Sequence, residues 1–347
     1  MKEIVEFRVN EDFASLLFGA DEGIRLSDLV RKVEIDSADP KYKRIGELQR
    51  KIKGRNGKYF FAGWSIHREY TNAELAAAEC FQLKIAAVFE PAGESCGTKY
   101  DESGACPICH AGAVQVSDLR LDLRKVPKGK DIARTISHDE WIVSQRLAER
   151  MIDLKLTGFS LRPVIHRARY EDDQLDLSKV PSGREILRKA KSAGVTSSAW
   201  EFSVWINRTE QRDLHDEARA EFTVLKGNEG SRMGVSMPVW HQLVVTNTNA
   251  EIVAPTRCGI GPFDQDKKGL YRCPRKDIIG LNLLSEVSVR RGSRTDTDFV
   301  CSREFIGVRR GVLRPVRVIL ISRRVRALFE AEGIQGFETE VAHLISG

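Results

Sequence analysis

The sequence predicts an α+β protein of two related mixed α/β modules, residues 1–170 and 171–347. Three observations predict it. Strand-like and helix-like stretches are mixed along the whole chain. Cysteine-bearing turns near 93–112 return in reduced form near 255–276. An ending of strand, serine, helix, glycine and strand occurs twice, once before residue 170 and once at the end of the chain. At 347 residues the chain is long enough for two or three domains with real cores.

Taken in order, Ile4, Glu6, Phe7 and Val9 mark an opening strand, and a short helical piece falls at 13–18. Ile45, Leu48 and Ile52 recur at helical spacing, and Gly54 and Gly57 end that run. Residues 58–70, rich in aromatic and β-branched side chains, read as a strand. Thr71-Asn72-Ala73-Glu74 is a capping box that opens a helix over 75–80. A strand over 81–89 delivers the chain into the first cysteines. Beyond them, Leu119, Leu121 and Leu123 alternate with polar residues, as one buried strand face requires. A basic turn at 125–130 leads to Asp131-Ile132-Ala133-Arg134-Thr135, and a strand over 140–143 runs into Ser144, a good N-cap. Leu147, Met151 and Leu154 share one face of the next helix, which stops near Thr157-Gly158 before a strand over 159–166.

The same ending follows Val316-Arg317-Val318-Ile319-Leu320-Ile321. Ser322 caps a helix with Val325, Leu328 and Phe329 on its face, and Gly336-Phe337 lie as far from Ser322 as Gly158-Phe159 lie from Ser144. Upstream the match continues more weakly, with Gly292-Ser293-Arg294-Thr295-Asp296-Thr297-Asp298-Phe299-Val300 resembling Gly129-Lys130-Asp131-Ile132-Ala133. Cys258-Gly259 and Cys273-Pro274 echo Cys96-Gly97 and Cys106-Pro107, and Gln242-Leu243 echoes Gln82-Leu83. Several features recurring in one order favour a tandem duplication over chance likeness. Between the copies, Ser182-Gly183-Arg184-Glu185 is a second capping box before a basic helix at 186–193, followed by a strand at 200–207 and a charged helix at 210–220.

The first cysteine stretch resembles a zinc ribbon, in which two turns offer thiolates to one tetrahedral ion. Cys96, Cys106 and Cys109 are in place, whereas Gly93 stands where a complete ribbon has another cysteine. His110 is taken as the fourth ligand of a structural zinc, with Cys80 an alternative. In the second copy Pro255 and Lys276 stand where ligands would fall, so Cys258 and Cys273 are expected to form a metal-free relic. Cys80 and Cys301 are expected to be buried small apolar residues. Seven cysteines clustered at turns argue for reduced thiols and not for a secreted disulfide framework.

Both halves are similar to the double-CXXCG-motif family of bacteria. The likeness is carried by the Cys96-Gly97 and Cys106-Pro107-x-Cys109 turns, the Asp131-Ile132 step, and the Ser144-x-Arg146 to Gly158-Phe159 ending. It covers roughly 58–166 and 236–345. The resemblance implies a non-enzymatic role, binding a protein partner, as an immunity-like protein that blocks a bacterial toxin.

The competing classes are weaker on the residues. Neither Gly-x-Ser-x-Gly nor a phosphate-binding glycine loop is present. His138-Asp139-Glu140 is the clearest acid–base cluster, but it falls at a turn, and Ser144 and Ser322 are explained by capping. A net charge of +6 over a chain with 49 acidic residues is mild basicity. The alternative function is a zinc-ribbon nucleic-acid-binding protein using Arg309, Arg310, Arg314, Arg317, Arg323, Arg324 and Arg326. Salt bridges from these to Glu330, Glu332, Glu338 and Glu340 would make them a solvated paired face instead. No run of eighteen apolar residues and no apolar signal core occurs, so a cytoplasmic protein with no membrane partner is expected.

Overall fold

The computed structural model describes residues 1–53, 58–137, 139–167, 238–267, 269, 271–293 and 296–346. The elements expected between 170 and 237, the module boundary near 170 and His138 lie outside the described residues. The fold class is α+β.

The described residues form two compact units. One is Met1–Ala78 with Gly261–Gln265. Strands β1 (Lys2–Asn10), β2 (Ile24–Arg25), β3 (Val30–Asp36) and β4 (Phe61–Glu69) make a sheet in the order β2-β3-β1-β4. Helices α1 (Glu11–Ala14), α2 (Pro40–Lys53) and α3 (Asn72–Ala77) complete it. Val5, Phe7 and Val9 alternate onto the inner face of β1 and are buried against Ile45, Leu48 and Ile52 of α2. Each such side chain contributes about 1.5–3 kcal/mol relative to exposure. The Phe263 ring stacks on Phe7 with centroids 6.0 Å apart. The Thr71 capping box forms as expected, but α3 ends at Ala77 and Cys80 begins a strand.

The second unit is Glu79–Ile260 with Asp266–Gly347. Its N-terminal half holds β5 (Cys80–Ile85), β6 (Val88–Phe89), β7 (Tyr100–Asp101), β8 (Val114–Gln115), β9 (Leu119–Leu121), β10 (Ile132–Thr135), β11 (Trp141–Ser144), α4 (Gln145–Asp153) and β12 (Phe159–His166). Its C-terminal half holds β13 (Trp240–Val245), β14 (Cys258–Gly259), β15 (Asn282–Leu283), β16 (Val287–Arg290), β17 (Phe299–Ile306), β18 (Val316–Ser322), α5 (Arg323–Ala331) and β19 (Phe337–Ile345).

The two large sheets of this unit exchange a strand. One runs β6-β10-β11-β13-β12-β9 and the other β16-β19-β5-β18-β17. Each half therefore lends the strand that leads toward its cysteine-bearing turns to the middle of the other half's sheet. The registers correspond residue by residue. Ser144 faces Trp240 and Phe159 faces Val245 in one sheet. Ser322 faces Cys80 and Phe337 faces Ile85 in the other. At the far edges, Val164 pairs in parallel with Leu119 and Ala342 with Val287.

Both serines cap their helices as the sequence suggests: Ser144 Oγ accepts the Leu147 amide at 3.2 Å, and Ser322 Oγ that of Val325 at 3.4 Å. Leu147, Ala148 and Met151 are buried on α4, as are Val325, Leu328 and Phe329 on α5. Leu154, expected on the buried face, is 47 % exposed, because α4 ends before it.

Candidate metal centre

The Cys106-Pro107-Ile108-Cys109-His110-Ala111 segment closes on itself. The Cys106 amide donates to the Ala111 carbonyl at 2.8 Å, and the His110 amide to the Cys106 carbonyl at 2.9 Å. His110 takes a left-handed backbone with φ of 56°. The C-terminal half carries a shorter version. There the Cys273 amide donates to the Asp277 carbonyl at 3.1 Å, the Lys276 amide to the Cys273 carbonyl at 2.8 Å, and Lys276 is left-handed with φ of 69°. By this correspondence Lys276 stands for His110 and Asp277 for Ala111. The shorter turn has one residue fewer between its Cys-Pro pair and its left-handed residue, and it has no second cysteine.

These two turns meet. Cys106, Cys109, Cys273 and Asp277 are buried, and their ligand atoms all lie within 4.8 Å of one another. Asp277 Oδ2 is 3.3 Å from Cys273 Sγ and 3.6 Å from Cys109 Sγ. A tetrahedral ion with metal–sulfur bonds near 2.3 Å and metal–oxygen bonds near 2.0 Å would set sulfur–oxygen edges of about 3.5 Å. The group could therefore hold a metal ion. All seven cysteines are free thiols, so no disulfide competes for these sulfurs.

Cys109 and Cys273 titrate as a pair. Contact with the Cys109 thiol draws the Cys273 thiol below its ordinary range, while the same contact, with burial added, pushes the Cys109 thiol up. Buried sulfurs and a carboxylate this close repel one another once ionised, and a cation among them relieves the repulsion.

Of the ligands expected from sequence, the structure brings Cys106 and Cys109 together and leaves Cys96 and His110 out of the group. Cys96 closes a 3₁₀ turn (Gly93–Cys96), fully buried, with its thiol pushed up to about 11 by burial. Cys80 lies in β5 and Cys301 in β17, both buried as expected. Cys258 packs with Ile278 and Leu281. Cys273, expected to belong to a metal-free relic, is a member of the group. Asp277 carried no signal of its own. Its position at the end of the second Cys-Pro turn could have marked it once that turn was set opposite the first.

The place beside Gly93, where a ribbon cysteine was sought, is filled by Glu140. Glu140 is 1 % exposed and accepts three hydrogen bonds, from the Gly93 amide at 2.7 Å, Thr135 Oγ1 at 2.5 Å and Tyr100 Oη at 2.9 Å. Burial nonetheless raises its pKa, these donors opposing. The Arg314 guanidinium lies over the Tyr100 ring, 3.7 Å from its centroid, and pairs with Glu94 at 2.9 Å and Glu102 at 3.1 Å. Arg309 pairs with both of those glutamates, at 3.0 Å to Glu94.

Much of the arginine-rich segment is engaged within the fold. Arg324 pairs with Asp298 at 3.1 Å, Arg326 with Glu330 and over the Phe81 ring, and Arg317 lies over Phe305. Of the acids named from sequence, Glu330 meets an arginine of this segment. Glu332 pairs with Arg150 at 2.9 Å and Glu340 with Lys84 at 2.8 Å. Among the described residues no helix is long and apolar enough to cross a membrane.

In comparisons with known proteins, no family model matches the chain and no curated protein matches it.

Proposed function

We propose that this chain is a non-catalytic protein-binding factor, a tandem duplication whose two copies are tied by one structural zinc ion at Cys106, Cys109, Cys273 and Asp277. The observation that carries the reading is the closed, buried donor set. Four donors fill the coordination of a tetrahedral zinc and leave no position for a reacting water, which is the arrangement of a structural site. Three thiolates and a carboxylate also suit zinc better than the hard cations magnesium and calcium. The corresponding registers of the two exchanged sheets support the duplication. The resemblance to the double-CXXCG family gives the partner class, a bacterial toxin blocked by its immunity protein.

The nucleic-acid reading is the weaker one, since Arg309, Arg314, Arg317, Arg324 and Arg326 are spent on acids and rings of the same chain. Co-expression with a toxic domain, where a neighbouring gene encodes one, tests the proposal, and a neighbourhood without such a gene counts against it. Restored growth together with a purified one-to-one complex is the expected result. Growth arrest unchanged by co-expression removes the immunity role, and a salt-dependent affinity for DNA or RNA in an anisotropy titration would favour the alternative.

A further inference from the structure

The two Cys-Pro turns are unequal partners, and the inequality bears on how tightly zinc is held. The N-terminal turn supplies two thiolates three residues apart, a ready chelate. The C-terminal turn is one residue shorter, has Lys276 and Asp277 after its single cysteine, and supplies one thiolate and one carboxylate. Asp277 can offer one oxygen to an ion. Its Oδ2 faces Cys109 and Cys273, while Oδ1 accepts the Phe305 amide at 3.0 Å. That second bond orients the carboxylate and draws charge from the ligating oxygen. For a borderline-soft ion such as zinc, an oxygen held this way is a weaker ligand than a thiolate.

The surroundings make the ion's presence consequential. The buried cluster here consists of Cys106, Ile108, Cys109, Ala111, Cys273, Ile279 and Val308, with Tyr271 and Phe305 partly buried against it. Three of its seven buried members are the ligand cysteines themselves. Without a cation, the middle of this cluster is three thiols and a carboxyl facing one another, so docking of one turn on the other depends on the metal. The Arg309 amide also donates to the Cys109 carbonyl at 3.1 Å, which joins the turn to the segment carrying the Glu94 and Glu102 pairs.

We propose that Asp277 is the fourth zinc ligand and makes the ion exchangeable, so that the site is a zinc-responsive latch between the two copies and not a permanently loaded one. The proposal rests on the zinc reading above. It requires zinc to be taken up with one carboxylate and three thiolates, and to be surrendered more readily than from a four-thiolate site.

The test uses the full chain, loaded with zinc alone and with cobalt(II) alone, as wild type, Asp277→Cys and Asp277→Ala. Wild type should bind one zinc per chain and yield it to a colorimetric chelator, with a cobalt charge-transfer band of three-thiolate intensity. Asp277→Cys should raise that band to four-thiolate intensity and hold zinc at least about 10-fold more tightly, since changing even an outer-shell partner moves metal affinity by about 10–100-fold. Asp277→Ala should weaken zinc binding by a similar factor, and it keeps the test available if the cysteine variant does not fold. Four-thiolate intensity in the wild type, zinc affinity unmoved by Asp277→Ala, or wild-type zinc withheld from the chelator would overturn the proposal and leave standing only zinc held through the three cysteines. A wild type that takes up no zinc overturns both.

Discussion

Asp131 and Gln335 are bonded in both directions across the exchanged halves. The Asp131 amide donates to the Gln335 carbonyl at 2.9 Å, and the Gln335 amide donates back to Asp131 Oδ2 at 3.1 Å. Asp131 also accepts the Ser144 hydroxyl at 3.1 Å and Arg146 Nη2 at 2.7 Å. The C-terminal half repeats the arrangement: Asp298 accepts the Thr157 amide at 3.0 Å, the Ser322 hydroxyl at 2.7 Å and Arg324 Nη1 at 3.1 Å. Each aspartate thus ties its own helix cap to the turn that ends the other half's helix.

Replacing Asp298 by alanine should therefore destabilise the protein by about 1–3 kcal/mol, since the Thr157 amide and the Ser322 hydroxyl lose their acceptor. Arg324, 60 % exposed in its side chain, should add little to that loss. Urea unfolding measures it. A double-mutant cycle with Ser322→Ala should show coupling between the two positions, and strictly additive losses would contradict the shared network.

Gly158 and Gly336 face a different constraint. A Cβ on Gly158 would lie 2.1 Å from the Phe299 carbonyl oxygen, and one on Gly336 2.1 Å from that of Ile132, with φ of 89° and 108°. Both atoms to be met are backbone and cannot swing aside. Alanine at either position should cost at least about 2 kcal/mol, from left-handed strain added to the clash. A fall in melting temperature of similar size at the two sites is the expected outcome.

These two glycines were legible in the sequence because a glycine after a capped helix is a local signal. So were β1, α2 and the Thr71 capping box, each announced by its own periodicity or cap. The exchange of β5 and β13 was not. Gln82-Leu83 and Gln242-Leu243 mark the strands as equivalent, but nothing local to either says in which sheet it lies. The grouping of Cys106 and Cys109 with Cys273 and Asp277 was hidden for the same reason. Cys96 precedes Cys106 by ten positions, and a motif read locally pairs such neighbours. Cys273 is far along the chain, and it is the interlocking of the halves that brings it to Cys109.

Serine substitutions separate the two ligand sets. Cys273→Ser should abolish stoichiometric zinc, as should Cys106→Ser, because each removes one of four donors. Cys96→Ser should leave zinc content unchanged. Metal analysis of the purified variants decides the matter, and zinc lost from Cys96→Ser but kept in Cys273→Ser would restore the local ribbon.

Restoring the ribbon cysteine should fail for a packing reason. A Cβ at residue 93 would meet Thr98 Oγ1 at 2.7 Å, Glu140 Oε1 at 2.8 Å and Leu119 Cδ1 at 2.8 Å. We expect Gly93→Cys to destabilise the fold by about 1–3 kcal/mol through overpacking, without adding zinc to the protein. Thermal melting and zinc stoichiometry on one preparation test both halves of the statement.

The pH dependence of stability should carry a mark of Asp139. This half-buried carboxyl is pushed up to about 7, first by burial and then by the charge of Glu140, with Arg314 opposing. An unfolded aspartate titrates near 4. Between those values the folded chain holds a proton that the unfolded chain has released, so stability falls as pH rises from about 4 to about 7 and stays low above it. Asp139→Asn removes the penalty, because an amide does not ionise, and it can still accept the Ser137 hydroxyl that now lies 3.1 Å from Asp139 Oδ1. The variant should match wild type near pH 4 and exceed it at pH 8 by on the order of 1–2 kcal/mol, a figure reduced from the full shift because the side chain is partly open to solvent. Urea unfolding at the two pH values, with wild type and variant carrying the same metal load, isolates the difference. An equal gap at both would show that burial of this carboxyl is not linked to its proton.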